Sequence, residues 1–162
     1  MTASSAMVAS RKSPPLPPDT PDLRQSLLAA LKPFAGQACV LGLSGGLDSV
    51  VLLDLLAQVA PTLQLRLSLV HVNHQLSPFA ADWQQFCVRL AQQYQLPITV
   101  HCVQLQRKGG ESLEAVARDA RYRVYASLGA DVLLLAHHLD DQCETLLLRM
   151  LRGAGVHGLS GM

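Results

Sequence analysis

An α/β fold, a doubly wound and mainly parallel sheet with helices on both faces, is the fold class the sequence predicts, and three observations predict it. Short apolar, strand-like runs alternate with segments of helical length and period. Glycine- or histidine-rich polar stretches follow the strand-like runs at several points. The first of these, Ser44-Gly45-Gly46-Leu47-Asp48-Ser49, stands between a buried strand and a buried helix, where a chain can wrap an anion. Strands alternating with helices imply right-handed crossovers, and these lay helices on both sides of a parallel sheet.

Residues 1–21 form a tail rich in Ser, Pro and Ala, with Ser13-Pro14-Pro15-Leu16-Pro17-Pro18 at its centre. Such a segment neither makes a helix nor buries a core, so it is expected to be disordered, leaving 22–162 as one domain. Asp22 to Lys32 reads as a short amphipathic helix with Leu23, Leu27, Leu28 and Leu31 on one face. Asp19 or Thr20 is its expected cap, Pro21 falls in its first turn, and Pro33 and Gly36 mark its exit. Ala38-Cys39-Val40 is the first strand, and a buried helix begins near Asp48 and runs through Val50–Leu56. A second strand, Leu65 to Val72, is apolar enough for burial on both faces. After Ser77-Pro78 a helix covers Ala80 to Tyr94, with Trp83, Phe86, Cys87, Leu90 and Tyr94 at helical spacing. Ile98 to Leu105 is the third strand, and Arg107-Lys108-Gly109-Gly110 a basic, flexible loop. A helix over Ser112–Leu128, a strand over Asp131–Ala136 and a last helix over Gln142–Leu151 complete the series.

A chain of 162 residues that is 49% hydrophobic and 15% charged is long and apolar enough for a globular domain with a sizeable core. The net charge of +1 is not the footprint of a nucleic-acid binder, so any RNA substrate must be held by local patches or by other domains. No apolar run reaches transmembrane length and the start lacks a signal-peptide core, so the expected compartment is the cytoplasm, with no membrane partner. Cys39, Cys87, Cys102 and Cys143 are scattered with no C-x-x-C, which argues against a metal or iron–sulfur site. The first three sit in apolar runs and are expected to be buried.

The chemistry concentrates where ligands bind in parallel sheets, beyond the carboxyl ends of the strands. That rule brings Ser44–Ser49, His71–His74 and His138–Glu144 together. The first loop has no Lys, so it is not G-x-x-x-x-G-K-[ST], and it is not G-x-G-x-x-G either. Its paired glycines permit unusual φ values, and the first N–H groups of the following helix favour negative charge. Asp48 can hold Mg²⁺ together with phosphate oxygens. Asp141 and Glu144 are three apart at a helix start, so they share a face and can hold a second cation or orient a nucleophile. One of His137 and His138 enters the site, because successive strand side chains point to opposite faces. His71 is balanced between site and core; His74 and His157 read as structural. Arg118 and Arg121 are neighbours on one helix face, either able to meet a phosphate and either able to form surface ion pairs.

The S-G-G-x-D-S pattern is that of the PP-loop, or N-type, ATP pyrophosphatases, which split ATP between its α and β phosphates. More specifically, the chain from about Cys39 to Met162 resembles the N-terminal catalytic domain of the tRNA(Ile)-lysidine synthases. Carrying that resemblance are the Ser44–Ser49 loop, His71-Val72-Asn73-His74-Gln75-Leu76, and Ser112-Leu113-Glu114 with Ala117-Arg118-Asp119-Ala120-Arg121-Tyr122. It continues through Ala136-His137-His138-Leu139-Asp140-Asp141-Gln142 with Glu144-Thr145, and Arg152-Gly153-Ala154-Gly155 with Gly158-Leu159-Ser160-Gly161-Met162. The resemblance implies a PP-loop, adenine nucleotide alpha hydrolase-like fold. It implies a ligase that adenylates the C2 oxygen of the wobble cytidine of tRNA(Ile) bearing a CAU anticodon. L-lysine then displaces AMP to make lysidine. The implied cofactors are ATP and Mg²⁺. By the same resemblance Ser44, Gly45, Gly46, Leu47, Asp48 and Ser49 hold the ATP phosphates. His71 and His138 lie at the nucleotide, and Asp48 and Asp141 at the metal. Asp141, Glu144, Arg121 and Arg118 act on the cytidine, lysine or phosphate. A homodimer is compatible with this reading. Family members continue well past this length with domains that grip tRNA, so the chain is expected to bind ATP without full turnover. The 2-thiocytidine thiolases share the core pattern but carry C-x-x-C pairs. GMP and asparagine synthetases do not explain the Asp-Gln-x-Glu-Thr stretch. A nucleotide-binding module of the universal stress type would bind ATP without releasing pyrophosphate.

Overall fold

The computed structural model describes residues 22–106 and 110–137. Within them lie strands β1 (Ala38–Gly42), β2 (Arg66–Asn73), β3 (Ile98–Cys102) and β4 (Val132–Leu135). The helices are α1 (Leu23–Leu31), α2 (Leu47–Val59), α3 (Ala80–Gln93) and α4 (Leu113–Ala126), with a short 3-10 turn, Lys32–Phe34, after α1. The predicted tail, the Arg107-Lys108-Gly109 loop and the predicted helix Gln142–Leu151 lie outside the described residues.

All the strand pairings are parallel, in the order β3-β2-β1-β4. The apolar run Ala-Cys-Val-Leu-Gly makes β1 an inner strand, buried on both sides as parallel strands require. Its register sets Cys39 against Leu67 on one side and against Val132 on the other. Cys39, Leu41, Leu67 and Leu69 point to one face, where they form a single core with Leu31 of α1, Leu53, Leu56 and Val59 of α2, and Cys87 and Ala91 of α3. The alternate residues Val40 and Val70, also buried, point to the other face. There Tyr125 of α4 comes down on Gly42, whose added Cβ would stand 3.1 Å from the Tyr125 hydroxyl and 2.7 Å from Leu135 Cδ2.

Handedness explains this division. The chain steps from β1 to β2 to β3 in one direction, and right-handed crossovers put α2 and α3 on one face. It then returns past β1 to form β4, and the reversed direction puts α4 on the opposite face. The carboxyl end of β1 is therefore the switch point, with β2 leaving on one side and β4 on the other.

Several boundaries differ from expectation for local reasons. The cap of α1 is Asp22 rather than Asp19 or Thr20, because its Oδ1 accepts from the N–H groups of Arg24 (3.0 Å) and Gln25 (3.3 Å). Ser112 caps α4 by accepting from Ala115 N–H at 3.1 Å, so that helix starts at Leu113. β3 stops at Cys102 instead of Leu105, and Cys102 is exposed because β3 is the outermost described strand on its side. Trp83 follows the helical spacing of α3 but stays 50% exposed.

Leu56 is fully buried between helix and sheet. Leu56→Ala is expected to lower unfolding free energy in urea by about 2–5 kcal/mol, whereas the exposed Gln93→Ala changes it by less than about 0.5 kcal/mol.

Candidate functional site

β1 hands its register on to the loop. Leu43, buried, donates its N–H to Val70 C=O at 2.8 Å, one step past the strand's last residue. The chain then turns through Ser44-Gly45-Gly46 into α2. Gly45 has φ +88°, in the left-handed region. A Cβ on it would stand 3.2 Å from both Cys87 Sγ and Trp83 Cε3, and 3.5 Å from Phe86 Cδ1. Backbone conformation and close approach of α3 thus both require glycine here.

The two serines hold the loop from within. Ser49, 3% exposed, donates its hydroxyl to Gly46 C=O at 2.8 Å. The same oxygen accepts from Gly45 N–H at 3.2 Å and from Ser44 Oγ at 3.0 Å. Ser44 Oγ accepts from Gly46 N–H at 3.2 Å. One donor and two acceptor positions exhaust a hydroxyl, so in this geometry Ser49 supports the loop's shape. Gly46 caps α2 without a side-chain hydrogen bond, so the first turn of α2 keeps its dipole end open to an anion. Asp48 lies exposed in that turn, beside the exposed Leu47.

The end of β2 buttresses this turn. His71 is 5% exposed and its Nδ1 lies 2.8 Å from Leu43 C=O. A carbonyl only accepts, so Nδ1 carries the proton and Nε2 is left as an acceptor. The Cys87 thiol donates to the same carbonyl at 3.7 Å, and burial pushes its pKa up to about 11. Asn73 turns the chain toward α3: its Nδ2 donates to Gln84 Oε1 (2.9 Å) and Ala80 C=O (3.3 Å), while its Oδ1 accepts from Gln75 N–H (2.8 Å). Sequence reasoning missed Cys87 and Asn73 as positioning residues. The Asn two residues before Gln75, at a strand end, is the signature of an Asx turn and was the available signal for the second.

His74 is half-buried, and its Nδ1 is shielded from solvent without a hydrogen-bond partner. Burial, then the Arg121 charge, then His71, hold its pKa below the ordinary 6.5. Burial pushes the Tyr125 hydroxyl up while the Arg121 charge pulls it back. Arg121 is thus felt both at the end of β2 and at the tyrosine over Gly42. Arg118, one turn earlier on α4, is half-buried like Arg121. On the far side of β1, Leu135 stands opposite Gly42, so Ala136 and the exposed His137 leave β4 beside the loop. His138, Asp141 and Glu144 lie outside the described residues. Among the described residues no group of three or more His, Cys, Asp or Glu gathers to hold a metal ion. Asp48 suits a hard cation shared with phosphate oxygens and water rather than a closed protein cage.

The two glycines separate in their demands. Gly45→Ala is expected to cost at least about 1–2 kcal/mol in urea unfolding, from its left-handed backbone alone. Gly46→Ala, at φ −71° with only Ser44 Oγ at 3.4 Å, costs less than about 1 kcal/mol. His74 adds a pH dependence. Its folded pKa lies below 6.5, so between the two values the unfolded chain binds more protons. Its contribution to stability is complete above pH 6.5 and falls as pH drops through that window. Urea midpoints measured from pH 7.5 to 5 are therefore expected to fall less steeply in His74→Asn than in the parent.

A family model described as the PP-loop domain matches residues 19–162. The tRNA(Ile)-lysidine synthase of Nitrosomonas europaea is 46% identical over 85% of this chain and 30% of that protein. The Pseudomonas aeruginosa protein of the same name is 50% identical over 86% of this chain and 32% of its own length. The chain therefore spans about 30% of the length of these curated relatives. Among solved structures, the U34-tRNA thiolase NcsA from Methanococcus maripaludis, described with its 4Fe–4S cluster, superposes with a TM-score of 0.64. That likeness, at 18% identity over 84% of this chain and 52% of the thiolase, is one of fold. Because the family match runs unbroken through the Ser44–Ser49 turn and the strands that carry it, the chain belongs to the PP-loop family.

Proposed function

We propose that this chain is the ATP-handling part of a tRNA(Ile)-lysidine synthase. The observation that carries the reading is the 43–50% identity to proteins of that name across most of the chain, loop and strand ends included. The loop fits ATP phosphates because its open helix start and glycine backbone offer N–H groups. Mg²⁺ fits Asp48 with phosphate oxygens and a further carboxylate, for which Asp141 is the candidate. Bound there, it would screen charge on the phosphates.

In this reading the C2 oxygen of the wobble cytidine attacks the α-phosphorus of ATP and pyrophosphate leaves. The neutral ε-amine of L-lysine then attacks C2, AMP departs with the former C2 oxygen, and the amine gives up a proton. An amide-like oxygen is a poor leaving group until it is adenylated, which is why the reaction consumes ATP. Arg121, whose charge is felt at His74 at the end of β2, is the candidate to meet phosphate or base; Arg118 is the weaker candidate. His71 acts first by holding Leu43, which sets the loop, and its Nε2 acceptor remains for the nucleotide. His138 and Glu144 complete the proposed set, beside the nucleotide and the lysine or cytidine. The substrates are tRNA(Ile) with a CAU anticodon and L-lysine, in the cytoplasm. Among the described residues no helix is long and apolar enough to cross a membrane. A homodimer is compatible with this assignment.

Incubation with ATP, labelled lysine and tRNA(Ile) transcript is expected to place label in the RNA and to release pyrophosphate, but far more slowly than relatives of full length do. Asp48→Ala should slow incorporation on the order of 100-fold, as loss of a group that organises transition-state charge does. Incorporation that survives this substitution would overturn the role of the loop. Calorimetry with MgATP, parent against Gly45→Ala, reads the same loop without RNA.

A further inference from the structure

The chain's sole tryptophan and two of its three phenylalanines gather at one place. Phe79, Trp83 and Phe86, at helical spacing, line an open cavity of about 560 Å³ with Gly45 and Asp82. Phe79 is 62% and Trp83 50% exposed, while the Trp83 and Phe86 rings meet edge to face at 6.3 Å. The core draws on Cys87 and Ala91 of the same helix, with Phe86 packed against it, so Phe79 and Trp83 present ring area that folding does not use. Exposed aromatic rings beside a polar turn mark a binding surface.

The lining chemistry selects an occupant. Asp82 is the sole charged side chain among these five residues, an acceptor at the rim of an otherwise largely apolar, aromatic wall. A planar ring with amino hydrogens on its edge complements that wall, and cytosine and adenine both carry such an edge. Guanine offers N1–H and its amino group in the same way, whereas uracil has no amino group and turns carbonyl oxygens toward the carboxylate, and a phosphate would be repelled by it. Gly45 belongs both to this cavity and to the loop, so the occupant sits against the loop itself.

We propose that this cavity holds an unpaired amino-bearing base of the RNA substrate (cytosine, adenine or guanine, not uracil), stacked on Phe79 and Trp83 with its amino group donating to Asp82. The proposal rests on the tRNA reading above for the source of the base. RNA proteins take up splayed bases on aromatic side chains in this way.

Trp83 is the only indole in the chain, so its fluorescence reports the cavity directly. The full chain is titrated with a tRNA(Ile) anticodon stem-loop, with the same RNA carrying uracil in place of loop cytosines, adenines and guanines, and with MgATP. The first is expected to quench Trp83. The uracil RNA, and the first RNA on Phe79→Ala, should need about tenfold higher concentration for half-effect, the scale of one stacked base. Asp82→Asn should erase the difference between the two RNAs. Fluorescence anisotropy of labelled RNA runs alongside. RNA that binds without quenching, RNA that does not bind, or quenching by MgATP alone to the same end point each overturns the proposal. So does a concentration-dependent Trp83 shift that tracks self-association in sedimentation, since a second copy would then cover the face. Quenching without lysine incorporation would sink the lysidine reading and leave the cavity assignment standing. Incorporation with a silent Trp83 would do the reverse.

Discussion

The rest of the site depends on how the chain leaves β1. The Leu43 carbonyl, at the last step before the turn, accepts from the His71 imidazole and from the Cys87 thiol. One residue further on than Ser44, Gly45 lies in the left-handed region with α3 pressed within van der Waals distance of its missing side chain. A neighbouring strand and a helix thus pin the turn from behind. The inner hydrogen bonds of Ser44 and Ser49 then need only choose its curl, not hold it against the sheet. A turn fixed in this way pre-orients the α2 dipole, so an anion meets N–H groups that do not have to be gathered.

The same pinning explains which parts of the molecule could be read from residues alone. The turn was legible because its determinants are contiguous: two glycines, two serines and a carboxylate between apolar runs. The parallel sheet was legible from the alternation of strand-like and helix-like segments. His71 was not, because its role rests on a carbonyl 28 residues away that only the β1–β2 register brings opposite. Asn73 escaped for the same reason, its partners lying on a helix whose rotation sequence does not state. Helical period showed that Arg118 and Arg121 share a face, but it fixes relative angles and not the absolute one. The packing of α4 over Gly42 supplies that absolute angle and brings the Arg121 charge to His74 and Tyr125. Trp83 illustrates the reverse error. Its spacing is that of a core residue, and only the position of α3 against the turn shows it half open to solvent. The proposed partners at His138, Asp141 and Glu144 stand on the sequence pattern and on β4 running beside β1.

Charge at the site is local. The whole chain carries +1, so long-range attraction for a polyanion is weak and selectivity must come from groups within a few ångströms. The α2 dipole stands at the turn, and burial, then the Arg121 charge, hold the His74 pKa below its ordinary value at the neighbouring strand end. One member breaks the pattern: Asp48 puts a carboxylate into the very turn that invites an anion. The helix dipole alone accounts for about 0.3–1 kcal/mol of comfort for such a residue, and a bound phosphate would oppose it. A cation lying between a carboxylate and a phosphate removes the cost of their sharing one helix start. Under the proposed function Asp48 therefore argues for Mg²⁺ at this loop, since a hard cation taking oxygens from both groups would lie between two negative charges that share one helix start.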